Sequence, residues 1–217
     1  MLTAALAAHW HALTAPLLPD AARRAAELAR LAAAYNAPGR HYHTLQHLDN
    51  LLTRLAAHPL HDPVVVGLAV WFHDAVYSPL RADNEAKSAE WALDFLQATT
   101  LAPARRARVA DLIGRTHDHT QPQPPHDADL LLFLDADLSI LGAPKAAYWA
   151  YARQVRQEYE VVPDERYRAG RRQVLARLLA APVLFRTPAL RAELDAPARR
   201  NLQAELDAWE HGGLPPH

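Results

Sequence analysis

His73-Asp74 sets an imidazole beside a carboxylate at the end of the most hydrophobic run in the chain, Val64-Val65-Val66-Gly67-Leu68-Ala69-Val70-Trp71-Phe72. A helix that is apolar on every side has to lie inside the protein, and a carboxylate at its end then needs a compensating partner. A metal ion is the simplest such partner. Imidazole and carboxylate are ordinary ligands for a divalent cation, and the cation offsets the buried charge. The pair therefore predicts a metal centre whose other ligands come from other elements.

Two further stretches carry suitable side chains. In Tyr42-His43-Thr44-Leu45-Gln46-His47-Leu48-Asp49, a stripe of Leu45, Leu48, Leu51, Leu52 and Leu55 predicts a buried helix face. That face leaves His43 and His47 on one flank, one turn apart, able to share a cavity. Either histidine alone reads first as a surface residue or a hydrogen-bonded neighbour of the core. The third source is Leu130-Leu131-Leu132-Phe133-Leu134-Asp135-Ala136-Asp137-Leu138-Ser139, a second apolar helix that acquires carboxylates. Asp135 and Asp137 lie two positions apart, so one metal takes only one of them, and the other reads as a helix cap or a solvent-facing acid. Taken together, His47, His73, Asp74 and Asp137 supply two imidazoles and two carboxylates, a nitrogen and oxygen set suited to manganese, iron, cobalt, zinc or magnesium. The chain has no cysteine, which excludes disulfides, thiolate nucleophiles and iron–sulfur clusters.

The elements that must position these residues read as helices. Half of the 217 residues are hydrophobic and only seven are glycine, and strand-like alternation is absent, so the expected fold is all-α, with residues 1–217 in a single domain. Start signals are legible. Asp20 precedes a helix over residues 21–35, Asp62-Pro63 combines a cap with proline at the first helical position, and Asp83 precedes Asn84-Glu85-Ala86-Lys87. Pro103 opens a helix toward Arg115, Pro144 and Pro163 begin two more, and Thr120 to Pro125 is a loop. A net charge of -1 provides no field for stable nucleic-acid binding or an anionic membrane. The N-terminus lacks a basic lead-in, and no apolar run nears the roughly 20 residues that span a bilayer, so a cytoplasmic protein is expected. The last residues, Gly212-Gly213-Leu214-Pro215-Pro216, read as a tail, and the apolar-rich C-terminal helices suit a homodimer.

Read in order, Arg40-His41-Tyr42-His43, Trp71-Phe72-His73-Asp74-Ala75-Val76-Tyr77, Asp83-Asn84-Glu85, Phe133 to Gly142 and Arg156-Gln157-Glu158-Tyr159 resemble the HD-domain superfamily of metal-dependent phosphohydrolases. The resemblance is closest to small bacterial proteins described as predicted HD-superfamily hydrolases. Tyr42 to His47 and Ala136 to Ser139 are also similar, more distantly, to stretches of cyclic-nucleotide phosphodiesterases. The resemblance implies an HD-type bundle of orthogonally packed helices, a motif region about 40–142 and C-terminal helices over 144–210. It implies His47, His73, Asp74 and Asp137 as ligands, with Asp74 able to bridge a second ion and Asp135 left out. It implies His43 as the donor of a proton to the leaving oxygen, and His119 or His117 as ligands of a second metal.

One departure stands out. Several members of the superfamily carry an acid shortly after the His-Asp pair to position water, whereas Tyr77 and Ser78 stand there in this chain. Glu85 is the candidate substitute, although a first-turn glutamate is also what the helix dipole favours. Arg40 and Lys87 are the cations placed to hold a phosphate. The expected activity is hydrolysis of a phosphate ester, with a nucleotide as the expected substrate, by water activated on a divalent metal, manganese foremost. Two other classes compete: a di-iron oxygenase of the same superfamily, and a sensor module that binds metal or nucleotide without catalysis.

Overall fold

The computed structural model describes residues 2–211, so the Gly212 to Pro216 tail lies outside the described residues. The fold is all-α, and among the described residues there is no strand. Five of the ten α-helices among the described residues begin where a side chain accepts from a free N–H of the first turn. Helix α1 (Ala4–Thr14) opens on Thr3, whose hydroxyl accepts from Leu6 N at 3.2 Å. Helix α2 (Ala21–Tyr35) opens on Asp20, which accepts from Arg23 N at 3.0 Å. Helix α3 (Leu45–Ala56) opens on Thr44, and α4 (Pro63–Phe72) on Asp62, which accepts from Val65 N at 3.1 Å. Helices α5 (Asn84–Leu96) and α6 (Pro103–Arg115) follow. Asp83 sits at the cap position of α5 but makes no side-chain cap bond. It pairs instead with Arg81 at 2.7 Å.

Asp127 caps α7 (Ala128–Asp137), which continues into a 3₁₀ turn over Leu138–Gly142. Pro144 and Pro163 immediately precede α8 (Lys145–Glu158) and α9 (Asp164–Ala180), and α10 (Pro188–Glu210) closes the described chain. No helix of the described residues is long and apolar enough to cross a membrane.

Contacts divide the chain into two compact units, Met1–His119 and Thr120–His217. In the first, α4 is the central element, packed against α1, α3, α5 and α6. Every residue from Val65 to Phe72 is buried, as an all-apolar helix requires. Trp10, Trp71, Phe72 and Phe95 form an aromatic cluster, with Trp10 edge-on to Trp71 at 5.2 Å between ring centroids. Tyr35 donates its hydroxyl to Trp71 O at 3.2 Å, so the last turn of α4 is fixed just before His73-Asp74.

In the second unit, α10 lays a stripe of Leu190, Leu194, Ala198, Leu202, Glu205 and Trp209 into the core. The one acid in that stripe, Glu205, is fully buried and held by a bidentate pair with Arg171 at 2.8 and 2.9 Å, by Tyr148 at 2.6 Å and by Trp209 at 3.1 Å. Arg171 is itself buried and committed to this pair. Burial pushes the Glu205 carboxyl up, but the Arg171 guanidinium, with Tyr148 and Trp209, outweighs it and holds the group below its ordinary value of 4.5. A depressed folded-state value means the stabilisation is complete above the ordinary value and is lost as pH falls through the folded one.

Glu205→Ala leaves Arg171 buried without its partner, and should cost about 3–5 kcal/mol in urea unfolding at pH 7. Glu205→Gln should also be less stable than the natural protein at pH 7, by a margin that shrinks as pH drops below 4.5. A margin that stays constant down to acid unfolding would contradict this account of the pair.

Candidate metal centre

Three donor atoms meet at the C-terminal end of α4. His47 Nε2 and His73 Nε2 are 3.2 Å apart, Asp74 Oδ2 is 3.0 Å from His73 Nε2, and it is 3.7 Å from His47 Nε2. The three side chains form a group able to hold a metal ion. Both imidazoles are buried, and the Asp74 side chain retains 18% exposure. Ligand bonds of about 2.0–2.2 Å at octahedral or tetrahedral angles place neighbouring donor atoms roughly 2.8–3.6 Å apart; the 3.0 and 3.2 Å separations fall in that range and the 3.7 Å one just beyond it. An ion held by these three side chains alone would keep coordination positions open.

The local chain explains the convergence. His73 is the residue that ends α4, with its N–H bonded to Ala69 O. Its Nδ1 lies 2.9 Å from Val70 O, and a carbonyl can only accept, so Nδ1 carries the proton. The ring thereby turns Nε2 toward the other two groups, the orientation a histidine ligand requires. His47 stands in the first turn of α3, on the same side of that helix as the buried Leu48 and Leu51. Burial would raise the Asp74 carboxyl, but the imidazoles of His73, His43 and His47 prevail and hold it well below the carboxylate range.

His43 differs from its expected position. Thr44 has extended backbone and its hydroxyl accepts from Gln46 N at 3.3 Å, so α3 starts at Leu45 and His43 lies in the segment before it. Thr44 as a cap, not a shared helical flank, is what turns His43 toward the centre. Its ring is 5.9 Å from that of His47 and stacks on Tyr77 at 4.3 Å, while Tyr42 packs against both histidines at 5.0 Å. Leu52 in turn is only half-buried, and Leu45, Leu48, Leu51 and Leu55 form the closed face.

Arg40 has a different occupation from the one its charge suggests. Its guanidinium donates to His43 O at 3.0 Å, Asp74 O at 2.7 Å and Ala75 O at 3.0 Å, and lies over the rings of Tyr35 and Tyr77. It clamps the segment before α3 onto the turn after α4, joining the two stretches that carry the donors. The turn is held from its other side by α5. Ser88 Oγ accepts from Val76 N at 3.0 Å, and the Asn84 amide exchanges two bonds with Ser78, at 3.0 and 2.9 Å. These positioning roles are what the Asp83-Asn84-Glu85 stretch contributes most visibly.

Glu85, in the first turn of α5, accepts from His117 Nδ1 at 3.1 Å. His117 is exposed, and His119 is half-buried at the end of the first unit. Lys87 pairs with Glu90 at 2.7 Å and lines an open groove of about 440 Å³ with Arg30, Arg81 and Trp91, at whose edge stands Val76. Asp137 ends α7 in the second unit and is half-buried.

Asp135 is fully buried, and its carboxylate accepts from Arg186 N at 2.8 Å, Thr187 N at 2.6 Å and Thr187 Oγ1 at 2.7 Å. It thus serves the start of α10, which explains the second buried acid of that apolar run without a metal. Burial raises its carboxyl above the ordinary range, and the two N–H groups with the Thr187 hydroxyl oppose that rise.

Comparison with protein-family models, with curated proteins and with solved structures gave no match. The chemistry therefore has to be argued from the site.

Arg40→Ala removes three charge-assisted bonds to partly buried carbonyls and should lower stability by about 2–4 kcal/mol in urea melts. It should also weaken manganese binding in calorimetry, because the two donor-bearing stretches lose their clamp. Arg40→Lys, which cannot span all three carbonyls, should recover only part of either loss. Natural stability and affinity in Arg40→Ala would remove the clamp from the account.

Proposed function

We propose that this protein is a metal-dependent phosphohydrolase that cleaves a phosphate ester, with a nucleotide as the expected substrate. The observation that carries the reading is the set of His47 Nε2, His73 Nε2 and Asp74 Oδ2 at mutual distances that fit one divalent cation. The resemblance to HD-domain hydrolases supplies the reaction class. A bound divalent ion would polarise a phosphoryl oxygen and bring the pKa of a coordinated water toward neutrality.

The remaining steps fall to the chain's own residues. His43, stacked on Tyr77 beside His47, holds the proton that the departing oxygen takes up. Tyr77 and the Arg40 clamp fix that ring and the turn beneath it. Lys87, which pairs with Glu90 in the groove whose wall includes Val76, would have to leave that pair to meet the phosphate. Glu85 and His117, now paired with each other, are the groups that would have to part to position water or hold a second ion, with His119 as a further ligand.

A second reading rests on the same donor set. Two histidines and one carboxylate also suit a ferrous ion with open positions for oxygen chemistry, alone or as part of a di-iron centre.

One experiment separates these. Protein purified without chelators is analysed for metals and then screened for phosphate release from nucleotides with added manganese. Phosphate release that a folded Asp74→Ala variant loses together with its metal supports the hydrolase, and full activity in that variant would falsify it. Iron with oxygen-dependent turnover and no phosphate release would favour the second reading. His43→Ala should keep its metal yet lose roughly 10²–10⁴-fold in turnover of an alkyl phosphate ester. The loss should be smaller for a nitrophenyl ester, whose leaving group needs no proton. Equal losses on both esters would take His43 out of the acid role.

A further inference from the structure

The second unit contains a groove that neither the metal centre nor the phosphate chemistry uses. It encloses about 560 Å³ between the start of α8 and the middle of α10. Its walls are Pro144, Trp149, Pro197 and alanines, and its charged residues are Lys145 and Arg200, with no aspartate or glutamate in the lining. A concavity of this size, mostly apolar and with a few polar groups, is the usual form of a small-molecule site.

The two cations are the informative part. Helical cations on a surface are normally answered by an acid three or four residues away. Arg200 has Ala196, Pro197, Gln203 and Ala204 at those positions, and Lys145 has Leu141, Gly142, Tyr148 and Trp149. Among the described residues neither cation has an ion-pair partner. The groove beside α5 differs on this point, since Lys87 is held by Glu90, Arg30 by Glu27 and Arg81 by Asp83.

The groove is also built in advance. Asn201 donates both amide hydrogens to the turn before α8, to Leu141 O at 2.8 Å and Ala143 O at 2.9 Å. At Gly142 a Cβ would come within 2.9 Å of the Leu194 backbone oxygen, so the turn rests on α10 at backbone contact. A concavity held this way loses little freedom when a ligand enters.

We propose that this groove binds a small amphipathic anion, an apolar or aromatic body carrying one carboxylate, phosphate or sulfonate. The body packs on Trp149, Pro144 and Pro197, and the anion is held between Lys145 and Arg200. The site is independent of the metal centre and of the reaction proposed for it.

The test uses the full chain and 1-anilinonaphthalene-8-sulfonate, an aryl anion whose emission rises in apolar surroundings. The expected result is saturable binding of one equivalent. The double reversal Lys145→Glu with Arg200→Glu should weaken it roughly tenfold, and Lys145→Arg with Arg200→Lys should retain it. Lys145→Gln with Arg200→Gln carries the same test should the reversal impair folding. Octanoate should displace the probe, and octanol, with the same apolar body and no charge, should do so far less well. Binding that never saturates, that survives removal of both charges, or that octanol reverses as readily as octanoate would overturn the proposal.

Discussion

The first unit is organised around one constraint: a carboxylate stands at the end of a helix that has no polar face. Val65 to Phe72 are buried throughout, so the chain leaving α4 emerges from the core directly at His73-Asp74. Transfer of an ionised carboxylate out of water is costly unless opposite charge and hydrogen bonds accompany it. The surroundings answer that cost. The imidazoles of His73, His43 and His47, with the hydrogen bond from His73, keep the Asp74 carboxyl ionised, while the Arg40 guanidinium binds the Asp74 and Ala75 carbonyls. The same features that make the charge tolerable leave two ring nitrogens and one oxygen pointing at a common place, where a cation would complete the set.

The second unit meets a similar problem with protein groups alone. Glu205 lies in the buried stripe of α10 and is satisfied by Arg171, Tyr148 and Trp209. Asp135 lies in the buried run of α7 and is satisfied by the Arg186 and Thr187 N–H groups just before α10. In both cases the donors are fixed and already charged or oriented. His47, His73 and Asp74 stand apart from these two, because two of their three facing atoms are ring nitrogens whose natural complement is positive charge.

Local signals in the sequence carried most of the secondary structure. The Asp20 and Asp62 caps and the prolines at 63 and 103 mark starts that the chain observes, because first-turn chemistry is decided within four residues. His73-Asp74 was legible for the same reason, as a polar pair closing an all-apolar run. His43 was misplaced by a few residues, since a leucine stripe continues smoothly through a helix start and Thr44 reads as one more polar residue unless its capping role is weighed. Asp83 shows the reverse, a good cap residue drawn off by the neighbouring Arg81. The contacts that hold the site together were not legible. Arg40 reaches carbonyls 34 and 35 positions away, and backbone acceptors leave no mark on residue type. Two long-range features did leave traces. Asp135 stands in an apolar run and needs donors, which Arg186 and Thr187 supply, and Glu205 falls on the spacing of Leu202 and Trp209, a core position that demands a partner.

The central claim is that His47, His73 and Asp74 meet because a divalent cation belongs between them. Anomalous diffraction at the manganese edge, from crystals of the full chain grown with manganese, tests it most directly. A single manganese peak about 2.0–2.2 Å from His47 Nε2, His73 Nε2 and Asp74 Oδ2 is the predicted result. Manganese bound elsewhere, or these three atoms empty in saturating metal, would contradict it.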